Sequence, residues 1–165
     1  MATTHLRPLT EADLPVYRAL LMPGLTQDAD SFRMAPEDEE DAPFPTQNRP
    51  DSFTLGTFVD DQLAGIVSFQ REGVDRVKLR HKGLLFRMYV SPHYRGQGLA
   101  RQLIEAVIDR ARHLHDLEQI NLTVVSTNPA KRLYERAGFR TFSTEINAIK
   151  WQGAYLAEDA MKLIL

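Results

Sequence analysis

Cysteine is absent from the 165 residues. Its absence excludes disulfides, thiolate metal sites and any mechanism that passes through a cysteinyl intermediate. Long apolar runs are missing as well: nothing approaches the roughly 20 residues that span a bilayer. The N-terminal Met1-Ala2-Thr3-Thr4-His5-Leu6-Arg7 lacks the apolar core of a signal peptide. A cytoplasmic protein without a membrane partner is the expectation. There is little excess charge of either sign. A net charge of −2 gives no global attraction to nucleic acid, so no nucleic-acid partner is expected. Repeats and linkers are also lacking. With 43% hydrophobic and 25% charged residues, the chain has the composition of a globular protein, and residues 1–165 are expected to form a single domain.

What remains is an alternation of strand-like and helix-like segments. Residues 6–9 read as a short strand, followed by Thr10-Glu11-Ala12-Asp13, a helix start with Thr10 as cap and Asp13 in the reciprocal position. Leu14, Tyr17, Leu20 and Leu21 continue an apolar face. Residues 23–50 read as irregular, and the acidic run 37–41 after Pro36 suits the first turn of a short helix. Residues 53–59 and 62–69 flank Asp60-Asp61 as a hairpin. Residues 71–81 read as a loop or strand ends, and 84–90 as a strand stopped by Ser91-Pro92. Leu99, Leu103, Ala106, Val107, Ala111 and Leu114 form a helical stripe. Residues 120–125 alternate as a strand. Asn128-Pro129 starts another helix, with the stripe Ala130, Leu133, Tyr134 and Ala137 and a terminating Gly138. Residues 139–146 and 161–165 are the last strand candidates. The pattern predicts an α/β or α+β fold around one mixed sheet.

The segment Arg95-Gly96-Gln97-Gly98-Leu99-Ala100 lies between a strand and a long helix. Glycines allow a tight turn with uncovered N–H groups, and the helix adds its free amides and positive dipole end. Such a place suits a phosphate or pyrophosphate. The turn lacks the lysine and hydroxyl residue of a Walker loop and the three-glycine spacing of a dinucleotide fingerprint. By itself such a glycine pair is more often a plain turn.

Its surroundings are more specific. The segment from Met88 through Arg95-Gly96-Gln97-Gly98 to Ala100 resembles the acetyl-coenzyme-A (acetyl-CoA) motif of the GNAT superfamily of N-acetyltransferases. Further along, Asn128-Pro129-Ala130-Lys131-Arg132-Leu133-Tyr134-Glu135-Arg136-Ala137-Gly138-Phe139 is similar to the second motif of that family. The opening strand with Thr10-Glu11-Ala12-Asp13-Leu14, and the tail from Ala148 to Met161, resemble bacterial members. The chain is identified as a member of the superfamily, and the resemblance runs over nearly its whole length. It implies a GNAT fold: a central, mixed, mostly antiparallel twisted sheet of about seven strands with helices on both faces.

The resemblance also implies roles. Backbone amides of Gly96, Gln97, Gly98, Leu99 and Ala100 would hold the pyrophosphate, with Arg95 and Arg101 as adjacent charges. The strand at Met88, Tyr89 and Val90 would hydrogen-bond the pantetheine arm, and an amide near Val90 or Met88 would polarise the thioester carbonyl. Tyr134 is implied as the general acid to the departing thiolate, although its stripe position alone reads as core. Asn128 is a helix cap on its own evidence and a coenzyme contact by resemblance. The implied activity is acetyl transfer from acetyl-CoA to an amine by direct attack, for which no enzyme nucleophile is needed. A non-catalytic acyl-CoA-binding sensor of the same fold is the second reading. Many family members dimerise, which leaves a homodimer open.

Other residues read as bland. His81 and Glu72 are candidates for a general base that read more readily as exposed loop residues; residues 84–90 contain no carboxylate, and no general base is assigned. The acidic run reads as a solvated helix start, with attraction of a cationic amine as the alternative. His113 and His115 stand at a spacing that shares no helix face, so no metal site is expected. His93 reads as an exposed loop residue or a coenzyme contact. The acceptor itself is not legible.

Overall fold

The computed structural model describes all 165 residues. Seven strands, β1 (Thr4–Leu9), β2 (Ser52–Val59), β3 (Gln62–Arg71), β4 (Lys82–Val90), β5 (Gln119–Val125), β6 (Arg140–Trp151) and β7 (Ala154–Ile164), form one sheet in the order β1-β2-β3-β4-β5-β7-β6. β4 and β5 run parallel and every other neighbouring pair is antiparallel. The helices are α1 (Leu14–Gln27), α2 (Pro36–Glu39), α3 (Leu99–Arg112) and α4 (Ala130–Arg136). The expected mixed, mostly antiparallel sheet with helices on both faces is what forms.

Local chemistry explains most of the elements. Thr10 N–H donates to Asp13 Oδ2 at 2.9 Å, which closes the reciprocal cap expected before α1. Asp60 and Asp61 take φ of 47° and 65°, the left-handed pair that a two-residue hairpin turn requires. α3 buries Leu99, Leu103, Ile104, Val107, Ile108 and Ala111 on one stripe. At about 1.5–3 kcal/mol for each large apolar side chain, this burial is what holds the helix on the sheet. The cluster beneath α3 and α4 contains 20 buried residues, against nine beneath α1 on the opposite face.

Three expectations need correction. Helix α1 continues through Pro23 to Gln27, where irregular chain was expected. Proline removes one N–H, but Pro23 and Ala19, whose carbonyl loses its partner, both face solvent. The buried positions Tyr17, Leu21, Gly24 and Leu25 carry the helix past it. The last two strands are also longer than the alternation suggested and form one hairpin turning at Gln152 and Gly153, with φ of 48° and 79°. β6 lies at the sheet edge and is largely exposed, so burial imposes no period-2 pattern on it. Finally, the acidic run does begin a short helix, and Ala35 N–H donates to Asp38 Oδ2 at 2.8 Å. It is not wholly solvated, because the Glu39 side chain is fully buried.

Candidate active site

Partial pairing of β4 with β5 creates the main opening in the sheet. The two strands pair only at Lys82–Gln119, Gly83–Ile120 and Leu84–Asn121. Beyond Leu84 they part, and the facing backbone groups of residues 85–90 and 122–125 have no partner across the gap. A bulge reinforces the separation: the β3–β4 register shifts between Ile66 and Ser68, and Arg87 adopts φ 52°. A cleft of about 660 Å³ runs through the gap.

The glycine turn closes one side of this cleft. Gly96 and Gly98 have φ of 77° and 79°, and Gly98 is the N-cap of α3. A Cβ added to either would meet no atom within 4 Å, so the left-handed backbone and the exposed amides, rather than packing, call for glycine. Gly96, Gly98, Leu99, Ala100 and Arg101 line the cleft, as do Met88, Tyr89, Val90, Arg95, Asn128 and Tyr134. Gln97 is exposed and stands outside the lining.

Two of the charges expected beside the turn are already engaged. Arg95 Nε donates to the Val90 carbonyl at 3.0 Å and its Nη2 to Asp28 Oδ2 at 3.1 Å. Arg95 therefore ties the turn to the end of β4. Tyr89 O–H also donates to Asp28, at 3.2 Å, while its ring lies so close to Gly24 that a Cβ there would sit 2.6 Å from it. Burial, then the Asp28 charge, raises the Tyr89 pKa. Arg101 projects from the first turn of α3 and pairs with Glu105 at 2.7 Å, largely in solvent.

Asn128 and Tyr134 enter from the start and middle of α4. Asn128 Oδ1 accepts from Ala130 N–H at 2.9 Å, so the side chain caps the helix as expected. Its Nδ2 donates to Ser31 Oγ at 3.2 Å and so reaches the turn Ala29–Ser31 on the far side of the cleft. Tyr134 is 7% exposed and packs edge-on against Phe139 at 6.0 Å between centroids. Burial alone raises its pKa, which keeps the hydroxyl protonated throughout the neutral range. Tyr134 thus belongs to the core cluster and also lines the cleft.

The bland residues lie elsewhere. Glu72 lines a separate depression with Lys82 and Arg49, and His81 precedes the paired end of β4. His93 belongs to the exposed turn Pro92–Tyr94. His113 Nδ1 lies 2.8 Å from the Asp109 carbonyl at the end of α3.

Arg33, Arg87 and Glu158, which sequence reasoning passed over, line the cleft as well, and Glu39 is buried against Arg87. Arg87 Nη1 lies 3.1 Å from Glu39 Oε2 and donates to Tyr17 O–H at 3.1 Å. Burial raises the Glu39 pKa, and the neighbouring Arg87 and Arg18 offset only part of it. Glu158 of β7, 4% exposed, accepts a fork of hydrogen bonds from Arg33. One signal was available: Glu158-Asp159 is a pair of carboxylates directly before the apolar strand end Ala160-Met161.

Residues 21–139 match the family model described as Acetyltransferase (GNAT) family. The chain belongs to the GNAT family. Among curated GNAT relatives, the N-acetyltransferase YhbS of Escherichia coli K12 is 31% identical over 141 residues, covering 79% of this chain and 80% of that protein. The probable spermine N(1)-acetyltransferase of Bacillus subtilis subsp. natto is 34% identical over 64 residues, 38% of this chain and 41% of that protein. The chain spans 28% to 47% of the length of the first curated relatives it matches. The crystal structure of a GNAT acetyltransferase from Streptococcus pneumoniae superposes with a TM-score of 0.83 at 22% identity, covering 99% of this chain and 100% of that one. The GNAT fold follows from that superposition. No helix is long and apolar enough to cross a membrane.

Proposed function

We propose that residues 1–165 form one N-acetyltransferase unit that carries an acetyl group from acetyl-CoA to a primary amine within a ternary complex. The observation that carries this reading is the parting of β4 and β5 between the left-handed glycine turn at α3 and the buried hydroxyl of Tyr134. An extended, acidic-headed thioester fits that sequence of features. The amides of Gly96, Gln97, Gly98, Leu99 and Ala100 would take the pyrophosphate, with the dipole of α3 behind them. The free edge of Met88, Tyr89 and Val90 would pair with the pantetheine amides as an added strand does. The Val90 carbonyl already accepts from Arg95, so the remaining groups on that edge carry the pairing. Arg101 is the charge near the turn with the more exposed guanidinium, and Asn128 lines the reactive end.

Bound there, the thioester supplies an activated acetyl group. A neutral amine attacks its carbonyl carbon, the C–N bond forms and the C–S bond breaks. The nitrogen gives up one proton to water, and the departing sulfur takes up one from solvent, so the step balances. An amide N–H on the β4 edge near Met88 or Val90 would steady the charge that develops on the carbonyl oxygen. Tyr134 is the hydroxyl that meets the sulfur. The coenzyme A thiol has a pKa near ~8.5, well below that of the buried phenol, so Tyr134 gives the nascent thiolate a hydrogen bond rather than ending as a tyrosinate.

Release of coenzyme A on mixing the protein, acetyl-CoA and a panel of primary amines tests the reading. Turnover with at least one amine is expected. Acetyl-CoA binding with no turnover across polyamines, amino acids, aminoglycosides and peptide N-termini would instead favour a non-catalytic acyl-CoA-binding module.

A further inference from the structure

Glu158 is a buried carboxylate on the cleft wall that the transfer chemistry leaves unused. The alternation of β7 places it. Asp159 and Met161 face α4: Lys131 of α4 bonds Asp159 at 2.7 Å, and Met161 belongs to the larger core cluster. Glu158 therefore faces the opposite side of the sheet, toward α1. It pairs in register with Val125, the last residue of β5, so it stands beside the gap where β4 and β5 part. Tyr134 reaches the same cleft from the α4 side. The two residues flank the opening from opposite faces.

The partner of Glu158 is held quite differently. Glu158 sits in a strand paired on both sides, with Val125 and Glu145. Arg33 comes from the bend between the turn Ala29–Ser31 and α2, and its side chain is 62% exposed. Its Nε lies 3.1 and 3.0 Å from the two Glu158 oxygens and its Nη2 lies 2.6 Å from Oε1. Hydrogen bonding to Glu158, together with the charges of Glu158 and Glu145, raises the Arg33 pKa. A carboxylate this buried needs a cation beside it. The site requires a positive charge, and the present one is supplied by an exposed side chain.

The rest of the wall favours a cation from outside. Asp28, Asp30 and Glu158 line it, and Glu145 lies across from Glu158. The four arginines of the lining are all paired, Arg33 with Glu158, Arg95 with Asp28, Arg87 with Glu39 and Arg101 with Glu105, whereas Asp30 and Glu145 have no ion pair. The adjoining apolar surface is aromatic, with Phe32 and Tyr89 5.4 Å apart between centroids. Carboxylate and aromatic surface side by side match an alkyl chain that ends in an ammonium group.

We propose that Glu158 is the recognition carboxylate for a positively charged group of the acceptor, and that Arg33 fills its place until the acceptor displaces it. The acceptor class is an alkylamine with a second positive charge. Its ammonium group replaces the guanidinium of Arg33 one for one, its methylenes lie along Phe32 and Tyr89, and its reacting amine enters the gap opposite Tyr134. This assignment rests on the reading of the cleft as an acetyltransferase site.

Calorimetric titration of 1,4-diaminobutane into the full chain in the presence of coenzyme A tests it. Arg33→Ala removes the internal competitor and should bind the diamine about tenfold more tightly than the wild type, equivalent to about 1.4 kcal/mol. Arg33→Gln should show the same gain, and Glu158→Gln should bind the diamine at least about tenfold more weakly than the wild type, while 1,4-butanediol binds no better to any variant. If neither Arg33 variant gains affinity, Arg33–Glu158 is a structural tie and the proposal is overturned. It is equally overturned if Glu158→Gln binds the diamine as the wild type does, or if the diol gains as much as the diamine. A separate titration of coenzyme A reports on the donor site. Its failure would sink the acetyltransferase reading while the diamine arm still decides the subsite.

Discussion

The α3–α4 face and the α1–α2 face of the sheet cover similar strands with different materials. Beneath α3 and α4 the contact is a continuous apolar cluster of 20 buried residues, and the functional groups it offers are backbone amides and one phenol. Beneath α1 the cluster has nine members, and the space beside it is held by ion pairs: Arg87–Glu39, Arg95–Asp28 and Arg33–Glu158. The first face is an apolar platform whose polar groups at the cleft come mainly from the main chain. The second is assembled from charged side chains of distant segments, and charged pairs are what a change of acceptor would rearrange. Under the proposed reading the donor takes the first face and the acceptor the second.

The largest effect should come from the main-chain side. Gly98→Val forces a β-branched residue to φ 79° and places a side chain where the proposed pyrophosphate approaches. With about two charge-assisted amide bonds lost, acetyl-CoA affinity by calorimetry should fall roughly a thousandfold, with a stability loss of only about 1–2 kcal/mol. Unchanged affinity would remove the donor from that face. Next in size, Glu39→Ala strips Arg87 of its partner under α1. Urea denaturation should show a loss of about 3 kcal/mol, the lower end for breaking a buried pair because Arg87 keeps some contact with water. A loss below about 1 kcal/mol would mean that the charged face is not held by its ion pairs.

Smaller changes sharpen the contrast. Tyr134→Phe should lower kcat about a hundredfold while the affinity for acetyl-CoA stays close to the wild-type value. Untouched turnover would return Tyr134 wholly to the core. Asp159→Asn should cost about 1 kcal/mol at neutral pH. Hydrogen bonds from Lys131, Thr144 and Ser126 hold the Asp159 pKa below its ordinary value. Its contribution is therefore present above the unfolded pKa of about 4 and is lost as pH falls through the lower folded value. The variant should flatten the acid limb of the stability profile below pH about 4; an unchanged limb would assign acid sensitivity to other carboxylates.

The legibility of the two faces in the sequence follows the same division. The glycine turn, the stripe of α3 and the Asn128 cap are contiguous requirements: a left-handed backbone, a 3.6-residue period and a short polar side chain before a helix. Each is satisfied within a few residues, so each can be read in one pass. The other face resists such reading because its partners are far apart: Arg33 and Glu158 are separated by 125 positions and Arg87 and Glu39 by 48. Nothing local marks Glu39 as different from its exposed neighbours. Pro23 misled for a related reason, since whether a proline ends a helix depends on which way its missing bond faces.

The sequence by itself determined the class of fold, the glycine turn at the start of α3 and the place of Tyr134 on α4, because backbone conformation and helical periodicity are local properties. The tertiary structure alone decided where β4 leaves β5, which carboxylates of the acidic stretches are buried, and that Glu158 and Tyr134 face the same gap from opposite sides. Those outcomes depend on which distant groups share one low-dielectric space, and only the folded chain brings them there.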